Sequence, residues 1–425
     1  MPVDGTAPRL PRGCRLIHLQ ETLIRPQDIE QARERLAGVV QQTPCHLSRA
    51  FSDELGLHAW LKYENLQLTG SFKVRGAYNK IASLGPEEAR RGVVAASAGN
   101  HAQGVAYSAT RLGVLSTILM PITTPLIKVE NTRKLGGIVE LEGELFDDAY
   151  EAARRLEKER GLVFVHPFDD DQVIAGQGTI GLEILEQTPE VEVIVVPVGG
   201  GGLISGVAAA VKEKKPSVRI YGVQTEAAPA MSHSFKAGQI VHHPVERSLA
   251  DGIAVRRPGE RTFEHIRHYV DGICTVSEDE IRAAVIRLLE TGKTSAEGAA
   301  AATLAALTRH RIPAAAGRHV VMVLSGANID IAMLSRIIDR FMVESHRLVR
   351  FRTHVPDRPG GLAEMLQVLS HHGANVKAIQ HDRVFMHAGF WEAQVDAIIE
   401  TRNADHIEEL RRALRQHGYA VERLE

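Results

Sequence analysis

Residues 193–211 read V-I-V-V-P-V-G-G-G-G-L-I-S-G-V-A-A-A-V, from Val193 to Val211. The first six form the most β-rich run of the chain, and four glycines, Gly199 to Gly202, separate them from an apolar helical stretch that begins at Leu203. The run is long enough to suggest a membrane span, but Pro197 and the tetraglycine would leave backbone groups without partners in lipid. It therefore reads as a buried strand, a glycine loop and a helix. Without side chains, several N–H groups in such a loop can close on one phosphate at the positive end of the helix. The loop carries neither G-x-x-x-x-G-K-[ST] nor the acidic ribose partner that a dinucleotide fingerprint requires.

Working outward, the same grammar repeats. Helical spacing appears at 26–36, 102–112, 146–160, 176–186, 278–291 and 296–308, and short apolar strands at 93–96, 116–120, 137–141, 162–165, 219–224 and 319–324. Alternating strands and helices imply parallel sheets covered on both faces, an α/β class. The pattern changes after about residue 345, where the order becomes βαββαβ over the last 80 or so residues, a ferredoxin-like arrangement. The expected division is a flexible lead-in at 1–24, a catalytic region at 25–344 with a small subdomain at about 60–155 inserted in the larger one, and a C-terminal domain at 345–425.

Composition narrows the partners. The 425 residues carry 50 Lys and Arg against 52 Asp and Glu, a net charge of −2, which disfavours nucleic acid or an anionic membrane as a standing partner. Three scattered cysteines, Cys14, Cys45 and Cys274, argue for a reducing compartment, and the N-terminus lacks the apolar core of a signal peptide. A cytoplasmic protein is expected.

Three further motifs sit where strands end, the usual place for ligands in open α/β sheets. Gly70-Ser71-Phe72-Lys73-Val74-Arg75-Gly76-Ala77 runs into a helix, and a lysine at that positive end is disposed towards a free amine able to form a Schiff base. Ser97-Ala98-Gly99-Asn100-His101 opens a helix whose N–H groups can receive a carboxylate. Ser325, in Leu324-Ser325-Gly326-Ala327-Asn328, can hydrogen-bond a ring nitrogen. Singly these also read as a solvated lysine, an ordinary helix cap and a turn serine. Together they are the parts that hold pyridoxal phosphate against an amino acid.

The motifs G-S-F-K-x-R-G-A, S-A-G-N-H-A-Q-G-V-A, I-A-G-Q-G-T-I-G-L-E-I, P-V-G-G-G-G-L-I-S-G, L-A-D-G and S-G-A-N-I-D occur in this order over residues 25–340. In that respect the chain resembles the fold-type II pyridoxal-phosphate enzymes, and among them the threonine (serine) dehydratases. The resemblance implies a catalytic Lys73 that carries pyridoxal 5'-phosphate, with Phe72 beside it and Asn100 on the ring oxygen. It implies Gly199, Gly200, Gly201, Gly202 and Leu203 on the phosphate, Ser325 on the pyridine nitrogen, and Glu297 lining the pocket. Ser97, Ala98, Gly99, Asn100 and His101 would surround the substrate carboxylate.

The implied reaction converts L-threonine or L-serine to 2-oxobutanoate or pyruvate and ammonia. Another 3-hydroxy amino acid is an alternative substrate. Serine racemase activity is a further reading, but similar racemases use a serine as second base where this chain has Ala98, which cannot shuttle a proton. A non-catalytic amino-acid-responsive regulator is a third reading, disfavoured by the intact Lys73. Related proteins hold a divalent cation on acidic groups near Gln224; Glu226 fits that pattern, whereas Ser232 stands where a second carboxylate would help, so a metal site is not expected. Val355-Pro356-Asp357-Arg358-Pro359-Gly360-Gly361-Leu362 and Gly373-Ala374-Asn375-Val376 resemble an ACT domain. That resemblance implies an amino-acid effector held by Asp357, Pro359, Gly360 and a neighbouring subunit's Asn375, in a homodimer or homotetramer.

Overall fold

A computed structural model describes residues 23–384 and 389–423. Cys14 and all but the last two residues of the expected lead-in lie outside the described residues. By contacts the chain divides into two compact units, Met1–Ile329 and Asp330–Glu425.

The first unit holds two sheets. The larger has six strands: β1 (Cys45–Leu47), β2 (His58–Lys62), β7 (Val193–Pro197), β8 (Arg219–Thr225), β9 (Gly272–Val276) and β10 (His319–Val323), in the order β1-β2-β10-β7-β8-β9. All pairings are parallel except β1 with β2. Every residue of β7 is buried, which explains its unbroken apolar run: helices cover both faces, so nothing selects alternation. The smaller sheet is parallel throughout, with β3 (Val93–Ala96), β4 (Ser116–Met120), β5 (Ile138–Leu141) and β6 (Val163–Phe164) in the order β5-β4-β3-β6. Its strands thus span Val93–Phe164, while β2, near residue 60, pairs in the larger sheet.

Helix Lys73–Ala82 packs against Asp171–Gln187 at backbone distance: a Cβ added at Gly176 would stand 2.7 Å from the Arg75 carbonyl oxygen. Asp170 starts Asp171–Gln187 by accepting from Gln172 N at 2.9 Å and Val173 N at 3.1 Å, five residues earlier than periodicity suggests. No described helix is long and apolar enough to cross a membrane.

The second unit opens with helix Ile331–Glu344, capped by Asp330, ahead of the strands of its sheet. Strands β11 (Leu348–Pro356), β12 (Asn375–Asp382), β13 (Glu392–Glu400) and β14 (Val421–Arg423) form an antiparallel sheet ordered β12-β13-β11-β14. Helices Gly361–His371 and Ala404–Gln416 cover it, and Val349, Phe351, Leu369, Val395, Ile407 and Leu410 build its core.

Candidate active site

The sequence motifs converge at the carboxyl ends of β3, β7 and β10. Ser71 and Gly326 form an isolated antiparallel bridge, Phe72 N donates to Ser325 O at 3.1 Å, and Ala327 N donates to Gly70 O at 2.9 Å, so the lysine loop is tied to the end of β10. Lys73 opens its helix and donates from Nζ to Pro167 O at 2.7 Å, with the amine 5.2 Å from the Phe72 ring centre. Burial pulls its pKa down to about 8, against the opposing pull of the Glu297 carboxylate. The Thr69 and Ser71 hydroxyls on the same loop are buried without a hydrogen-bond partner.

Asn100 Nδ2 donates to both Glu297 carboxylate oxygens at 2.9 and 3.0 Å. Asn328, which the motif reading gave no role, donates to Asn100 Oδ1 at 2.7 Å and to Thr69 O at 2.9 Å, joining three of the motifs. Glu297 is pushed up to about 7 by burial, with Asn100 pulling the other way. Ser97 Oγ accepts from Gly99 N at 3.2 Å and Ala98 is half-buried. His101 is turned to Val165 O at 2.8 Å, and burial takes it down to about 3, so it is a neutral ring committed to the backbone. Among the described residues, the N–H groups of Asn100, His101 and Ala102 donate to no acceptor in the chain.

The tetraglycine forms the opposite wall. The N–H groups of Gly199 through Ile204 have no acceptor among the described residues, giving six consecutive free donors where the helix Gly202–Lys214 begins. Gly201 has φ +99, and a Cβ there would stand 2.8 Å from Met231. A Cβ at Gly200 would stand 2.3 Å from the Phe168 ring.

Periodicity gave no hint of His166-Pro167-Phe168-Asp169, which supplies both the carbonyl at Lys73 and the ring behind the glycines. The available signal was its place, directly after a strand. Glu226 is exposed at the end of β8, Ser232 N donates to Gln224 Oε1 at 2.7 Å, and no group of three or more His, Cys, Asp or Glu fit for a metal occurs among the described residues. In the second unit, Asp357 pairs with Arg383 at 2.9 Å, Gly360 has φ +92 next to Pro359, and Asn375 donates to Glu400 at 2.8 Å. The β11–β13 register sets Pro356 and Leu348 eight residues apart, and Asn375 faces Glu400 at the Leu348 end. Asn375 and Asp357 of one chain therefore lie at opposite ends of the sheet, roughly 25 Å apart at ~3.3 Å per residue.

Comparison with known proteins agrees with this geometry. The family described as pyridoxal-phosphate dependent enzyme matches residues 36–326, and the ACT domain matches 349–418. The L-threonine ammonia-lyase of Thermotoga maritima is 50% identical over 399 residues, 94% of this chain and 99% of that protein. Among solved structures, the processed form of threonine deaminase isoform 2 from Solanum lycopersicum superimposes with a TM-score of 0.72 at 39% identity, covering 76% of this chain and 88% of that one. Maize serine racemase gives a TM-score of 0.71 at 34% identity, covering 76% and 99%.

The residues suit the cofactor: an amine held near neutrality, a row of unpartnered N–H groups able to take a phosphate, and two buried hydroxyls without partners beside them. By its sequence, its two-sheet architecture and this pocket, the chain belongs to the fold-type II pyridoxal-phosphate-dependent enzymes, in the group of the threonine dehydratases, with an ACT domain following the catalytic region in the sequence.

Proposed function

We propose that the chain is an L-threonine ammonia-lyase that also accepts L-serine, releasing ammonia with 2-oxobutanoate or pyruvate. The observation that carries this reading is the Lys73 amine, brought to about 8 and held on Pro167 O, opposite six free N–H donors at Gly199 to Ile204. Pyridoxal phosphate, when bound, supplies the electron sink that allows the α C–H and β C–O bonds to break. Lys73 then serves as the base at the α-carbon, since an amine near neutrality both releases and takes a proton.

Gly199 to Leu203 would hold the phosphate of the bound cofactor, and Phe72 and Asn100 would line the pocket for its ring. Ser325, a neutral hydroxyl at the end of β10, would serve the ring nitrogen without enforcing its protonation, and Glu297 closes the pocket behind Asn100. The free N–H groups at Asn100 to Ala102, with Ser97, Ala98 and Gly99 before them, receive the substrate carboxylate, and His101 braces that helix start against Val165. Ala98 offers no proton on the opposite face of the substrate, which favours elimination over racemisation.

The division proposed is a lead-in at 1–24, the catalytic region at 25–344 and a regulatory domain at 345–425, in a cytoplasmic enzyme of isoleucine synthesis. Its C-terminal domain would sense an amino acid, with isoleucine or valine as the first candidates. Strand β12 is an exposed sheet edge. Antiparallel pairing of two such edges would bring Asn375 of one copy towards Asp382 of the other, the end at which Asp357, Pro359 and Gly360 lie. That geometry supports a homodimer, or a tetramer built from it, as the unit that binds effector.

Protein reconstituted with pyridoxal phosphate should be yellow, carry cofactor mass on Lys73 after borohydride, and produce 2-oxobutanoate from threonine at a rate that isoleucine or valine alters. A colourless product, unlabelled at Lys73 and inactive on threonine and serine, would refute the enzyme reading.

A further inference from the structure

His166-Pro167-Phe168-Asp169 is a short segment that touches both walls of the pocket. The Pro167 carbonyl receives the Lys73 amine at 2.7 Å. Phe168 lies behind the glycine loop, so close that a Cβ added at Gly200 would stand 2.3 Å from its ring and one at Gly202 2.9 Å from its carbonyl oxygen. Asp169 accepts from Glu260 N and Thr262 N, each at 3.1 Å, and Thr262 Oγ1 donates to Gly200 O at 2.6 Å. The segment thus meets the glycine loop directly through Phe168 and indirectly through Asp169 and Thr262.

One side chain sets the shape of this segment. His166 Nδ1 accepts from Phe168 N at 3.2 Å and from Asp169 N at 2.7 Å. An acceptor that takes the amides two and three residues ahead closes the turn an Asn or Asp side chain closes in an Asx turn, here with an imidazole nitrogen. Two donors on Nδ1 require the neutral ring with its proton on Nε2. The ring stands edge-on to Phe168 at 4.6 Å and is fenced by Tyr150 and Phe164.

We propose that His166 is a positioning residue that locks residues 167–169 so that the Pro167 carbonyl meets the Lys73 amine while Phe168 supports the glycine loop. A single side chain then sets both points at which pyridoxal phosphate is anchored, its aldehyde end and its phosphate end. The inference rests on the proposed function for the identity of that ligand. The charged and titratable groups around the ring come from four elements: Asp169 and Asp170 of the same loop, Lys73, Arg154 of helix Phe146–Arg160, and His101. Burial outweighs the two aspartates and takes His166 down to about 4, so the accepting form persists at working pH.

The test compares His166→Asn, His166→Gln and His166→Leu in the full chain reconstituted with pyridoxal phosphate. Asn places an acceptor where Nδ1 stands, Gln places one where Nε2 stands, and Leu has none. The Asn variant should stay within about threefold of the parent in cofactor Kd and in the rate of borohydride fixation on Lys73. The Gln and Leu variants should lose about tenfold in both and in kcat, with KM little changed, as expected for a lost buried acceptor. Circular dichroism and Tm of the apo forms identify a variant that fails to fold, and the comparison of Asn with Gln then carries the test. Equal losses for Asn and Gln, or a lowered Tm with unchanged cofactor binding and fixation, would overturn the inference. Failure of the unsubstituted protein to take up cofactor would instead remove the function on which it rests, and is seen before any variant is made.

Discussion

Two residues beyond Lys73, Arg75 enters a buried ionic cluster whose charge balance yields a sharp prediction. Arg75, Glu64 and Lys62 have no exposed side-chain surface and Glu183 has 13%. Arg75 grips Glu64 through two bonds of 2.8 Å and Glu183 through bonds of 2.6 and 2.9 Å, while Lys62 meets Glu183 at 2.5 Å, Thr43 O at 2.6 Å and Gln187 at 2.9 Å. Burial alone would push Glu64 up, but Arg75 and Lys62 outweigh it and hold the carboxyl below its ordinary range. The four charges cancel. Arg75→Met leaves one uncompensated negative charge and should cost about 3–5 kcal/mol. Glu64→Gln leaves one positive charge and should cost a similar amount. The double substitution leaves Lys62 with Glu183, again neutral, and should be more stable than either single variant by about 2 kcal/mol. Urea unfolding of the apo protein, in a Trp391→Phe background so that Trp60 of β2 reports alone, measures the cycle. If the single penalties simply add in the double variant, charge balance is not what holds the cluster together.

Gly200→Ala drives a methyl into the Phe168 ring, and should weaken cofactor binding and lower stability by about 1–3 kcal/mol, read as Kd and as the urea midpoint. Ala98→Ser restores a hydroxyl before Gly99 and should make D-serine detectable from L-serine by chiral chromatography, with none from the parent chain. Glu297, raised to about 7 from 4.5, keeps a proton in the folded state that the unfolded chain has released, so stability falls as pH rises between those values. Glu297→Gln should flatten that slope in the apo protein and recover up to about 3 kcal/mol above pH 7, measured as the urea midpoint against pH.

What could be read from the chain was what is local. The strand, glycine loop and helix at 193–211 announce themselves because backbone geometry and burial leave few residue types possible there. β2 is harder to read. Its His58-Ala59-Trp60-Leu61-Lys62 ends on a lysine that looks like a surface residue, and Lys62 is buried only because Glu183, 121 residues away, neutralises it. The acidic run Asp169-Asp170-Asp171 reads as loop, yet Asp170 is a helix cap and Asp169 braces the start of helix Glu260–Tyr269. The motif residues were recognisable as a set, in their order along the chain, whereas Asn328 and Pro167, which join the motifs, act through contacts made only in the fold.

The poise of Lys73 shows how the fold changes a physical account without changing the residue. At the start of a helix the dipole disfavours the ammonium form, but only by about 0.3–1 kcal/mol, less than one pKa unit. The larger lowering, to about 8, comes from enclosure. Enclosure also acts on Glu297, which approaches 7 from the other side, and each group's charge favours the charge on the other. An ionised Glu297 would therefore make the Lys73 amine more basic and leave less of it free. Asn100 holds both carboxylate oxygens, and Asn328 in turn holds Asn100 Oδ1. The asparagines thereby fix where that charge stands, so the free fraction of the amine depends on the protonation of a carboxyl group whose own partner comes from the substrate-binding motif.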